Sequence, residues 1–237
     1  MSEAGTVVRA GVLRLRHPGA RWLSTGWNGG FVGGDAAYNV SVPTGFDRTD
    51  LDAYVSERRR ESGFEEPGPT LLTGVEMRHA HGARSGPVTA VVTAGVSNPA
   101  VLPPVGDQAA TLEGDVGDHD PGTVNVLLAT GGSLTDGALA SLLGAVVEAK
   151  TATLLAETGF PGTTTDAVVV GCRSSGEREP FAGSGTPTGA AARACVREAL
   201  RASLRSRYPD GDFPTSLADA EYGVSTDHAA EVFRVDE

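Results

Sequence analysis

The pattern Asn39-Val40-x-x-x-Thr44-Gly45-x-x-x-Thr49-Asp50 returns at the same spacing as Asn125-Val126-x-x-x-Thr130-Gly131-x-x-x-Thr135-Asp136. In each copy an apolar stretch runs into a Thr-Gly turn and then into Thr-Asp, residues suited to capping a helix. Each is preceded by a strand that ends in a small-residue turn with an asparagine, Ser24 to Asn28 and Thr93 to Asn98. This order commits most of the chain to strand, strand and helix, twice over. The expected fold class is therefore α+β, a single domain of mixed β-sheet with packed helices. The repeat also raises an internal ββαβ duplication about a pseudo-two-fold, which would place Asn28 and Asn98 on equivalent turns and favour a site between the halves. These are common turn and cap residues, and convergence produces the same six matches.

The remaining elements follow from periodicity and punctuation. Strands are expected at residues 7–16, 21–24, 37–42, 88–93, 123–129 and 166–172. A helix capped by Thr49 or Asp50 runs to the Arg58-Arg59-Arg60 cluster, whose charge suits a helix C-terminus. A long helix covers about 135–157, and a last one, capped by Thr186 with Pro187 at its first position, reaches about Arg207. Residues 99–121 form a long acidic, proline-bearing loop, the natural place for a lid or insertion. The core spans about 7–207, and the acidic tail 208–237 reads as mobile.

No apolar run approaches the roughly 20 residues of a membrane span. The opening Met-Ser-Glu-Ala-Gly-Thr lacks the basic and apolar regions of a secretory signal, so the expected location is cytoplasmic. A net charge of −11 argues against a nucleic-acid partner. The basic residues are 18 arginines and a single lysine, Lys150. An acidic surface in which Arg displaces Lys suits high cytosolic salt, and a GC-biased genome explains the Arg excess equally well. Cys172 and Cys195 make neither a disulfide framework nor a CxxC metal motif and read as reduced, small hydrophobes. Oligomeric state is not legible.

Familiar hydrolytic motifs are absent: there is no G-x-S-x-G, no H-E-x-x-H and no P-loop. His79-x-His81 is the nearest approach to a metal pair, but no third ligand is evident and a polar loop is the better reading. The long helix says more. Leu139, Leu142, Leu143, Val146, Val147 and Leu154 form one apolar stripe at 100° per residue, and Lys150 lies near its centre. A buried ammonium needs an anion, and Asp166 at the start of the next strand is the nearest candidate. Glu148 falls on the opposite side of that helix. Thr163-Thr164-Thr165-Asp166 places polar groups at the mouth of an apolar strand, either as a plain turn or as a ligand site. Asn28-Gly29-Gly30 and Gly95-Val96-Ser97-Asn98 offer backbone NH groups and amides at tight turns, or are only turns. Arg193, Arg197, Arg201 and Arg205 form an i+4 ridge that reads as a solvated face.

Taken in order, Asn28-Gly29-Gly30, Thr93 to Asn98, Gly122 to Asn125, Glu148 to Thr151, Thr164 to Val169 and Ala182 to Gly189 resemble the adenosylcobinamide amidohydrolases of archaeal cobalamin salvage. Each motif is weak alone, and six in order across residues 20–205 are specific. The resemblance implies hydrolysis of the amide that joins the corrinoid to aminopropanol, giving adenosylcobyric acid, with the corrinoid as substrate and no cofactor. His79-x-His81 is not part of that pattern. Within it the candidate catalytic residues are Lys150, Asp166, Glu148 and Thr165. Activated water is the expected nucleophile, Asp166 or Glu148 the base, and Lys150 steadies the oxyanion. Candidate substrate-binding residues are Asn28, Gly29, Gly30, Thr93, Ser97, Asn98, Asn125 and Thr164, with no metal. A non-catalytic corrinoid-binding or carrier module and a general small-amide hydrolase remain open on the residues alone.

The charge pattern makes one expectation measurable. Unscreened acidic surfaces repel themselves, so the midpoint of thermal unfolding should rise from low to molar KCl. A midpoint that stays put assigns the Arg:Lys ratio to genome composition.

Overall fold

The computed structural model describes residues 5–102, 122–220 and 222–235. Its elements are β1 (Gly5–Arg9), β2 (Val12–Ser24), β3 (Gly30–Ser41), α1 (Leu51–Glu61), β4 (Thr70–Thr73), β5 (His81–Ser85), β6 (Val88–Ala94), β7 (Ala100–Val101), β8 (Val124–Leu134), α2 (Asp136–Thr158), β9 (Ala167–Arg173), β10 (Arg178–Glu179), α3 (Pro187–Arg207) and β11 (Val224–Ser225). The expected α+β class holds, with one mixed sheet in the order β4-β3-β2-β9-β8-β6-β5.

The first expected strand is two. Ala10 and Gly11 both take positive φ, 44° and 75°, and close a two-residue hairpin that pairs Arg9 with Val12. Beyond it β2 continues through His17 and Pro18 with a register shift, so residues 7–16 and 21–24 are not separate strands. β3 likewise starts earlier than expected, at Gly30.

The connection strand–strand–helix–strand occurs twice, as β2-β3-α1-β4 and β6-β8-α2-β9. In both, the first two strands pair antiparallel and the helix returns to a parallel neighbour. This is a likeness of connection, and duplication does not follow from it.

The two halves of the sheet face each other. Leu13, Leu15, Trp22, Ala37 and Leu71 from one half pack with Val91, Leu127, Ala129 and Val169 from the other in one inner core. Asn125 of β8 donates to Asn39 of β3 at 2.9 Å although β2 and β9 lie between those strands in the sheet. Helices cover the outer faces. Tyr54 of α1 packs on Val12, Tyr38 and Val40. α2 and α3 cover β6, β8 and β9 through Leu139, Leu142, Val146, Leu154, Val196 and Leu200.

The helix caps follow the sequence in two cases. Thr135 accepts from Ala138 N at 3.2 Å and Thr186 from Gly189 N at 3.0 Å. Asp50 sits at the N-cap of α1 without capping, because its carboxylate is held by Arg48 at 2.6 and 2.7 Å. By length and a hydropathy of 1.5, α2 is apolar enough to cross a membrane, which corrects the expectation that no such run exists. Half of that stretch is buried inside the fold, as in a core helix.

The arginine ridge of α3 is also not merely solvated: Arg193 pairs with Glu148 at 2.9 Å and Arg201 with Glu157 at 2.8 Å, clamping α3 to α2. The first part of the tail packs on the fold, with Phe213 against Tyr208 and Val224–Ser225 parallel to β7, while residues 226–235 form no element and leave Val232, Phe233 and Val235 exposed. Most of the expected lid loop, residues 103–121, lies outside the described residues. Both cysteines are buried and free, and burial pushes the Cys195 thiol up.

Trp22 is fully buried, and a Cβ at Gly171 would stand 2.2 Å from its ring. Gly171→Ala should therefore cost roughly 1–3 kcal/mol by overpacking, read as a lower urea midpoint at unchanged slope.

Candidate active site

Three segments meet at one end of the sheet: the exit of β6 (residues 95–100), the entry to β8 (122–124) and the turn before β9 (162–166). A single carboxylate joins them to α2. Asp166 Oδ2 accepts from Lys150 Nζ and from Thr163 N at 3.1 Å, and Oδ1 accepts from Val124 N at 2.9 Å and from the Thr163 hydroxyl. The pair is nearly closed to solvent, with the Lys150 side chain 7% and the Asp166 side chain 10% exposed.

The helical phase that puts Lys150 among leucines thus delivers its ammonium to the expected partner. Gly162 makes room for it, since a Cβ there would lie 2.8 Å from Asp166 Oδ2 and 3.1 Å from Lys150 Nζ. A carboxylate offers about four lone-pair positions, and all four are taken. Asp166 therefore has no position left to take a proton from water and is ill suited to the role of general base.

Around this pair hydroxyls and amides interlock. Thr123 Oγ1 and Thr165 Oγ1 are 2.8 Å apart, the first buried and the second exposed. Gly122 N donates to Ser97 Oγ at 2.7 Å, and Gly122 admits no side chain, because a Cβ would lie 2.4 Å from Ser97 N. Asn98 Nδ2 donates to Thr164 Oγ1 at 2.6 Å and Thr164 N to Asn98 O at 3.2 Å. Asn98 Oδ1 is buried and has no hydrogen-bond partner among the described residues. Lys150, Asp166, Thr164, Thr165, Ser97 and Asn98 are thereby one cluster.

Other expected residues are elsewhere. Glu148 leaves α2 on its outer side, 66% exposed and bound to Arg193 and Ser184, and cannot act as base beside Lys150. Thr93 and Asn125 are 0% and 1% exposed. On strands of period two they point between the half-sheets, where Asn39 donates to Thr93 at 2.8 Å and Asn125 to Leu72 O at 2.8 Å. They are core polar groups with no surface for substrate. Asn28, Gly29 and Gly30 are exposed on the β2–β3 turn, and Asn28, at φ 48°, donates to Asp52 at 2.9 Å. That turn adjoins the cluster through Thr25, which exchanges hydrogen bonds with Val168 at 3.0 and 2.9 Å.

His79 meets the Ser206 hydroxyl at 3.0 Å, and burial with nearby Arg78 holds its pKa below the usual range. His81 donates to His79 O at 3.1 Å. Among the described residues no group of three His, Cys, Asp or Glu side chains is placed to hold a metal. Sequence reasoning missed Thr123 and Gly162, whose importance lies in approaches across the chain that no local pattern carries.

Comparison with known proteins fits this picture. The sequence pattern of a family described as adenosylcobinamide amidohydrolase matches residues 3–211. An adenosylcobinamide amidohydrolase of Halobacterium salinarum is 52% identical over 97% of this chain and 98% of its own. One from Methanosarcina mazei is 32% identical over 78% of this chain and 90% of its own. A crystal structure, the PH0078 protein from Pyrococcus horikoshii, is similar at 13% identity and a TM-score of 0.41 over 87% of this chain and 80% of its own, too remote to inform the site.

The two acids should separate in a stability measurement. Asp166→Asn leaves a buried ammonium uncompensated and should cost about 3–5 kcal/mol. Glu148→Gln breaks an exposed pair and should cost no more than about 1 kcal/mol by urea unfolding.

Proposed function

The chain belongs to the adenosylcobinamide amidohydrolase family, enzymes that hydrolyse an amide, and from that premise we propose that the Lys150–Asp166 cluster is where the hydrolysis takes place. The observation that carries this reading is the buried ammonium. Asp166 takes one of its three N–H donors, and the four-point hold on Asp166 keeps the ammonium aimed. The donors left over suit the oxygen of an amide carbonyl, which gains negative charge as water adds to its carbon.

In the reaction the water oxygen bonds to the carbonyl carbon and the C–N bond breaks. Aminopropanol leaves with a proton, and the corrinoid side chain becomes a carboxylate. Lys150 favours the charged intermediate more than the neutral amide, which is what lowers a barrier. Thr165, exposed and tied to Thr123, is placed to orient the water or the amide, and Asn98 and Ser97 shape the mouth. Polar groups gathered around a buried ion pair favour a hydrolase over a carrier, which needs chiefly apolar walls.

The corrinoid is substrate and the proposal requires no cofactor. Its product would be adenosylcobyric acid for re-entry into cobalamin assembly, in a salt-rich cytoplasm suited to the acidic, arginine-weighted surface. Lys150→Met keeps the apolar stem and leaves Asp166 three donors. The variant should fold and lose about 10²–10³ in turnover of adenosylcobinamide, followed as adenosylcobyric acid formed. Native turnover in a variant that melts normally removes Lys150 from the chemistry.

A further inference from the structure

The β2–β3 turn carries an indole that packing does not explain. Trp27 is 54% exposed, yet its orientation is fixed: Nε1 donates to Asp52 Oδ1 at 3.0 Å, and Asn28 Nδ2 donates to the same oxygen at 2.9 Å. With α1 and the segment 67–70 this turn encloses a cavity of about 270 Å³ that also meets Ser56 and Arg59. Arg59 lines it with its guanidinium carbon 5.4 Å above the Tyr38 ring. The cavity thus offers an aromatic face, a carboxylate, a hydroxyl and a guanidinium. Its formal charges, Asp52 and Arg59, cancel.

We infer that this cavity receives the adenosyl group of the substrate, an inference that rests on the hydrolase reading above. A neutral purine nucleoside matches each group in it. The purine has a π-face for Trp27 and ring-nitrogen acceptors for the Arg59 guanidinium, and the ribose diol has hydroxyls that can donate to the Asp52 carboxylate. A phosphate or other anion would meet the Asp52 carboxylate, and the corrin macrocycle is too large to enter. The location fits as well. Thr25, two residues before Trp27, is hydrogen-bonded to Val168, two residues after Asp166, so the turn and the Asp166 segment leave the paired strands β2 and β9 at the same end. Asp52 positions the indole and Asn28, which accounts for an asparagine held in a left-handed conformation on an exposed turn.

Two measurements decide the matter. Trp22 is fully buried, so quenching of tryptophan fluorescence by a soluble nucleoside reports Trp27. 5′-Deoxyadenosine should quench saturably, and Arg59→Met should weaken that binding several-fold; absence of saturable quenching overturns the assignment. In equilibrium dialysis with intact protein, Trp27→Ala should weaken adenosylcobinamide about tenfold, the scale of one lost base–aromatic stack, and leave dicyanocobinamide nearly unchanged. Equal weakening of both corrinoids would show that the cavity holds part of the corrin itself and would overturn the inference. If native protein binds adenosylcobinamide and never yields adenosylcobyric acid, the hydrolase reading fails, while the fluorescence result still decides the cavity.

Discussion

Asp166 gathers donors that the chain delivers from three places: Lys150 from the middle of α2, Val124 from the first residue of β8, and Thr163 from its own turn. A carboxylate and an ammonium buried together repay their lost hydration only if every lone pair finds a donor and the geometry is held. That requirement explains features that otherwise look incidental. Gly162 is bare because the pair fills the space beside it, Thr163 bends its backbone and hydroxyl back to the same acid, and the start of β8 is anchored. The exit of β6 is in turn tied to the carboxylate's own turn, through Asn98 with Thr164 and Ala100 with Gly162.

The folding of the sheet onto itself is the second constraint. Inner-face residues of both halves need apolar cover, and each half supplies it to the other, which leaves the outer faces to the helices. Inside that layer Asn39 donates to Thr93, and Asn125 to Asn39 and to Leu72 O, hydrogen bonds that tie the two halves together. Loops at the rim of such a seam are free to vary in sequence while the scaffold below stays rigid, and the candidate site is built from loops of this kind.

The β2–β3 turn adjoins the candidate site. Its first residue is bonded to β9 beside Asp166, and its tip rests on α1. On the proposed reading, chemistry at Lys150 and recognition at Trp27 are linked through this short element. Binding energy gained on a remote part of a large substrate is useful at the reacting amide only when the two are held in register.

Local signals were read reliably where the physics is local. Thr135 and Thr186 cap helices, Pro187 opens one, and the 3.6-residue stripe put Lys150 in the interior, because these depend on residues within a turn or two of each other. The family resemblance was legible for the same reason, as six short motifs in order. By itself the sequence determined the element order through most of the chain, the α+β class and a buried lysine that needs an anion. Tertiary structure decided the rest. β4 and β5 have too few residues to declare themselves and exist by pairing with neighbours. Glu148 was drawn away by Arg193, Asn125 and Thr93 were sealed between half-sheets, and Thr123 met Thr165 from across 42 residues. Such contacts depend on how the sheet closes, a property of the whole inner core, and no window of sequence contains it.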